Sequence, residues 1–150
     1  MSSSDRSWTL DGLGGEHAPE WSFAASDSAT AIDVRRAFRA HVERFAEPQS
    51  DVGAAELIFA ELLSNVVRHA GGPLWVRLGW RRAEPVLVIA DRGPGFGSRP
   101  ACSLPATVDD AGRGLAIVRA LALHLRLGNR RRRGAYVCAV LPVSRAVRAG

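Results

Sequence analysis

The chain has 150 residues, 47% hydrophobic and 23% charged, a balance that suits one folded domain with a core and excludes a disordered chain. Its formal charge is +5 and all 20 cationic side chains are Arg, which excludes a Walker-type P-loop, a lysine nucleophile and a Schiff base. No apolar run reaches the roughly 18 residues that cross a bilayer, and the polar start MSSSDRSWTLDG lacks a signal peptide's charged and then apolar design, so the expected compartment is the cytoplasm.

In chain order, residues 1–18 are rich in Ser, Gly and Asp without a sustained period and read as a flexible arm before a domain at 19–145. WSFAA at 21–25 reads as a strand. Asp27 or Ser28 can cap a helix to about Phe45 whose apolar stripe is Ile32, Val34, Ala37, Phe38, His41, Val42 and Phe45. Pro48 closes that helix, and a second runs from Asp51 to about His69, where Gly71 and Gly72 stop it. LWVRLGW at 74–80 alternates like a half-buried strand, whereas VLVIAD at 86–91 is continuous like a buried one. Residues 97–111, with two prolines and small polar side chains, form a loop longer than packed elements need, as a lid would. The glycines of GRGLAIVRALALHLRL open a third helix reaching roughly Leu123, and strands near 124–130 and 134–142 finish the chain. The order β-α-α-β-β-lid-α-β-β predicts a two-layer α/β (α+β) sandwich, with helices on one face of a mostly antiparallel sheet.

Cys102 and Cys138 share no metal-type spacing and read as ordinary thiols. The run Arg130–Arg133 is the strongest local hint of nucleic acid. It leads at once into Gly134 and the apolar AYVCAVLPV, however, and is read as a charged hairpin turn, so no direct nucleic-acid partner is expected.

Three short segments carry the chemistry. In ELLSNVVRHA, Glu61, Asn65 and His69 recur every fourth residue, and each step turns roughly 40° around a helix, so the three share one face. Beside them Leu57, Leu62, Leu63, Val66 and Val67 form the expected buried stripe. A carboxylate and an amide next to such a stripe need partners, although the row also fits the solvated edge of an amphipathic helix. In DRGPGF, Asp91 ends the buried strand, where a carboxylate is favourable only if it accepts hydrogen bonds, and the exocyclic amine of a base is a suitable donor. Gly93 and Gly95 allow close ligand approach, although a DxG turn alone is a common feature. In GRGLAIV, Gly112 and Gly114 bracket Arg113 at a helix start, whose free N–H groups and dipole receive phosphates without lysine.

Together and in this order the segments resemble the GHKL superfamily of ATPases, with its Bergerat-type ATP-binding fold. The N-box of that superfamily matches Glu61 and Asn65, its first glycine box (DxGxG) matches Asp91, Gly93 and Gly95, and its second (GxG) matches Gly112 and Gly114, over about residues 20–143. The wording ELLSNVVRHA and the small single domain resemble the RsbW-like anti-sigma-factor serine kinases. That resemblance implies ATP and Mg²⁺ as cofactors, with Asn65 coordinating the metal, Asp91 reading the adenine amine and residues 112–115 (Gly112, Arg113, Gly114, Leu115) holding the phosphates. It implies Glu61 as the general base acting on a serine of an anti-sigma-factor antagonist, a sigma factor as second partner, and a homodimer. His69 is expected as a helix cap or supporting group. One position departs from the pattern: Ala135 stands where members commonly carry a threonine whose hydroxyl lies near the adenine. Two other readings accompany this one: a regulatory binding module without phosphotransfer, and a stand-alone histidine-kinase-like ATPase domain. The latter is weakened because no separate helix with a phosphoacceptor His precedes the domain.

Overall fold

The computed structural model describes residues 19–69, 72–81, 84–92, 110–129 and 134–146. They form β1 (Glu20–Ala24), α1 (Ser28–Phe45), α2 (Val52–His69), β2 (Pro73–Arg81), β3 (Glu84–Asp91), α3 (Asp110–Leu121), β4 (His124–Asn129) and β5 (Ala135–Val140). This is the element order that periodicity predicts. The arm 1–18, Gly93, Gly95, residues 97–109 with Cys102 and Arg99, and the run Arg130–Arg133 lie outside the described residues.

The five strands make one antiparallel sheet in the order β1-β2-β3-β5-β4. Register decides what each face carries. Ile89 of β3 stands opposite Val76 of β2 and Val137 of β5, and with Leu78, Leu87 and Ala139 these side chains meet the helices. Val34, Phe38 and Val42 of α1 and Ile58, Phe59, Leu62 and Val66 of α2 fill the space above them. Phe38 and Phe59 stack with ring centroids 4.4 Å apart, which ties the two helices together. On the opposite face Val86, Val88, Cys138 and Val140 form a smaller buried cluster. β3 is therefore buried on both faces, as its unbroken apolar run requires.

Four expectations change. Ile32 of the expected apolar stripe is 54% exposed, Leu57 of the expected buried stripe is 40% exposed, and Ala37 is exposed as well. The reason is angular: the buried column of α1 is Val34, Phe38 and Val42 and that of α2 is Ile58, Leu62 and Val66, which leaves Leu57 in the column of Glu61 and Asn65. The third helix begins at Asp110, two residues before the glycine expected to open it, and ends at Leu121.

The α1 cap is settled in favour of Asp27, whose carboxylate accepts from the Thr30 N–H at 3.0 Å and from the Thr30 hydroxyl at 2.6 Å. These two bonds hold the Asp27 carboxyl below its ordinary pKa, the hydroxyl bond being the larger cause.

Connections fix the helix directions. α2 starts beside Ser144, since the Ser144 N–H donates to Ser50 Oγ at 3.0 Å, and runs to the end of the sheet where Leu74 pairs with Asp91. α3 finishes at the opposite end, where the Leu123 N–H donates to the Val140 carbonyl at 2.9 Å. The two helices therefore lie side by side and run in opposite directions.

Candidate functional site

The Asp91 end of the sheet gathers the polar residues singled out in the sequence. Asp91 is 7% exposed and is the one buried charged side chain among the described residues. A buried carboxylate needs hydrogen-bond donors, and the Ala135 N–H donates to Asp91 Oδ1 at 3.3 Å. Gly134, directly before β5, comes close to it: a β-carbon on Gly134 would overlap the Asp91 carbonyl oxygen, and Gly134 has φ +106°. Glycine is required there twice over, by the approach and by the backbone conformation. Next to Asp91, the Arg92 guanidinium lies 5.1 Å from the Trp75 ring centroid.

α2 brings the second group. Glu61 and Asn65 are both half-buried, one helical turn apart, and Asn65 is nearer the Asp91 end. His69 is the last residue of α2. The Glu61 carboxylate reaches α3: its Oε2 lies 2.6 Å from where a β-carbon on Gly114 would stand. The N-box helix and the second glycine box are thus in direct contact.

On α3 itself, Gly112 falls in the first turn, where backbone N–H groups lack intrahelical partners, whereas Gly114 lies about one turn inside the helix. The Leu115 side chain is half-buried against the core, and its backbone N–H lies one residue deeper in the helix than that of Gly114. Ala135 takes part through its N–H alone, a contact the sequence did not disclose because it needs β5 to lie beside β3. Gly134 was missed in the same way; its one signal in the sequence is a glycine directly before an apolar strand.

The residues fit a nucleotide with its metal in part by donor chemistry. Among the described residues no group of three or more His, Cys, Asp or Glu side chains is placed to hold an ion. A metal here would need phosphate oxygens and water besides the Asn65 amide oxygen, which is how Mg²⁺ is held in phosphoryl-transfer sites. Among the described residues no helix is long and apolar enough to cross a membrane.

A model of the histidine kinase-like ATPase domain matches residues 23–141. A search of curated proteins found no match. Among solved structures, the chain is similar to full-length ShkA in complex with AMPPNP, at 20% identity, a TM-score of 0.47, and coverage of 91% of this chain and 34% of that one. It is also similar to the Acinetobacter baumannii histidine kinase AdeS, at 20% identity, a TM-score of 0.44, and coverage of 85% and 68%. The chain thus spans about a third of the length of ShkA. The family match covers both the α2 row and Asp91, and the chain belongs to the histidine kinase-like ATPase domain family, the GHKL fold.

Proposed function

We propose that the protein binds Mg²⁺-ATP at the Asp91 end of its sheet and transfers the γ-phosphoryl group to a serine of a partner protein, as an RsbW-like anti-sigma-factor kinase. The observation that carries this reading is the contact of Glu61 with Gly114, which joins the α2 row to the glycine box of α3. The match to the histidine kinase-like ATPase domain over residues 23–141 supports ATP as the nucleotide, and the wording ELLSNVVRHA supports the anti-sigma group with its antagonist and sigma-factor partners.

Each residue has one task in this reading. Asp91 accepts a hydrogen bond from the adenine amino group, and the Ala135 N–H holds one carboxylate oxygen in place. The Asn65 amide oxygen is the protein's ligand to Mg²⁺, which supplies neutralisation of charge on the phosphates. Gly112, in the first turn of α3, offers its N–H to phosphate oxygens. Glu61 takes the proton from the serine hydroxyl while the serine oxygen bonds to the γ-phosphorus and the bond to the ADP oxygen breaks. This division of labour suits phosphoryl transfer, in which positioning and electrostatics do most of the work.

Calorimetric titration tests the nucleotide assignment. Wild-type protein is expected to bind ATP more tightly with Mg²⁺ than with EDTA, and Asn65→Ala to lose most of that difference. GTP should bind more weakly than ATP by about two orders of magnitude, because a desolvated carboxylate that loses a donor and meets a carbonyl oxygen costs about 3 kcal/mol. Equal affinity for ATP and GTP would remove Asp91 as the adenine reader. Transfer of labelled phosphate to a serine of a purified antagonist separates a kinase from a module that only holds nucleotide.

A further inference from the structure

We infer that Gly114 is a positioning residue for Glu61: the missing β-carbon at this point of α3 is what lets the Glu61 carboxylate lie in the seam between α2 and α3. The inference rests on the reading of Glu61 as the base of phosphoryl transfer and assigns the second glycine of the box a role other than phosphate contact.

Glycine inside a helix loses more conformational freedom on folding than any other residue, so it persists there only where the space or the backbone demands it. The backbone of Gly114 makes no such demand, because the positive-φ glycines among the described residues are Gly72 and Gly134. The space does. A β-carbon at Gly114 would meet Glu61 Oε2 at 2.6 Å, Glu61 Cδ at 3.6 Å and Glu61 Cβ at 3.8 Å, so its three nearest neighbours all belong to one side chain. Gly114 is buried and sits one turn inside α3, past the N–H groups left free at the helix start. The volume that glycine leaves empty is the volume the carboxylate fills.

The consequence differs from that of a phosphate ligand. The tip of a glutamate is flexible, so a methyl group at residue 114 displaces the carboxylate and leaves the fold intact. A base moved by about 1 Å loses rate steeply, while ground-state affinity for nucleotide hardly changes. A residue that touched phosphate would register in affinity instead.

The test compares full-length wild type, Gly114→Ala, Glu61→Ala and the double variant by thermal unfolding, by Mg²⁺-ATP calorimetry and by ATP hydrolysis. Alanine is the better helix former, so Gly114→Ala should raise Tm more in the Glu61→Ala background, where nothing obstructs the methyl group, than in the wild-type background. ATP affinity should stay within about threefold throughout. Turnover should fall at least about tenfold on Gly114→Ala alone and change less than about twofold when it is added to Glu61→Ala. Equal Tm increments in both backgrounds would overturn the inference, since the carboxylate would not be in the way. A loss of ATP affinity beyond about tenfold in both backgrounds would also overturn it and return Gly114 to the phosphates. Wild-type protein that neither hydrolyses ATP nor transfers phosphate to an antagonist serine would remove the catalytic reading of Glu61, and with it the purpose of the contact, whereas the Tm increments report separately on whether the contact exists.

Discussion

The two ends of the sheet are built on opposite plans. At the end away from Asp91, the chain closes on itself: the Glu47 N–H donates to the Ser144 carbonyl at 2.8 Å, the Ala146 N–H to the Phe45 carbonyl at 2.8 Å, and Ala46 bridges to Arg145. The Trp80 indole N–H donates to His41 Nε2 at 3.5 Å, and the Arg145 guanidinium lies 5.6 Å from the Phe45 centroid and 5.5 Å from that of Trp80. Backbone bonds and ring faces there are directed at other parts of the same chain. At the Asp91 end, by contrast, two glycines supply clearance and three polar side chains collect: Gly114 makes room for Glu61, Gly134 makes room for Asp91, and Asn65 lies between Glu61 and the end of α2. The difference separates stability from chemistry. The bonds that hold the C-terminus of α1 and the start of α2 involve none of the site residues.

That separation can be broken or sharpened by substitution. The largest effect belongs to Glu61→Ala, which should lower phosphotransfer or hydrolysis by roughly 10²–10⁴ with nucleotide affinity within a few-fold, the usual contribution of a positioned general base. A wild-type rate in that variant would leave Glu61 as a mere edge residue of α2. Gly134→Ala attacks the same end through its backbone. With the Asp91 carbonyl oxygen in the way of the new carbon and φ at +106°, it should cost on the order of 3 kcal/mol in denaturant unfolding. It should also weaken ATP binding by shifting Asp91, so an unaltered affinity would detach Asp91 from the site.

Cys138 lies on β5 between the two ends, in the smaller cluster on the face away from the helices. Burial pushes its thiol up to about 11 from 9.0, and Arg126 opposes the shift. A pKa raised in the folded state means that stability is full below the unfolded value near 9 and is lost as pH rises through about 11. Unfolding free energy should therefore fall by on the order of 2 kcal/mol between pH 9 and 11. The Cys138→Ala variant should lack that part of the decline, and identical pH profiles for the two proteins would exclude the thiol as its source. The smallest effect is expected at the far end. Arg145→Ala should lower stability by about 1 kcal/mol through loss of cation–ring contacts and leave ATP affinity unchanged. A change in affinity would show that the two ends are coupled.

Much of this molecule is legible residue by residue. The alternation of β2, the unbroken apolar run of β3 and the Asp27 and Gly72 punctuation locate the strands and helices to within a few residues, because these signals are local and repeat at 2.0 or 3.6 residues. The candidate site was legible as three segments, since each has its own wording. The exposure of Leu57 and Ile32 was not legible: periodicity gives the width of an apolar stripe but not which edge the sheet covers.

The sequence by itself determined the order of elements, the helices on one face of an antiparallel sheet, and the assignment of Glu61, Asn65 and Asp91 to one row and one strand end. Only the tertiary structure decided that β5 lies between β3 and β4, and with it that Ala135 donates to Asp91 across 44 positions of chain and that Gly134 meets the Asp91 carbonyl. It alone set α3 antiparallel to α2, so that Gly114 faces Glu61. The reason is physical. Hydrogen-bond period and side-chain direction are properties of neighbours in the chain, whereas strand order and helix seams follow from which apolar faces bury each other, and that sum is taken over the whole molecule.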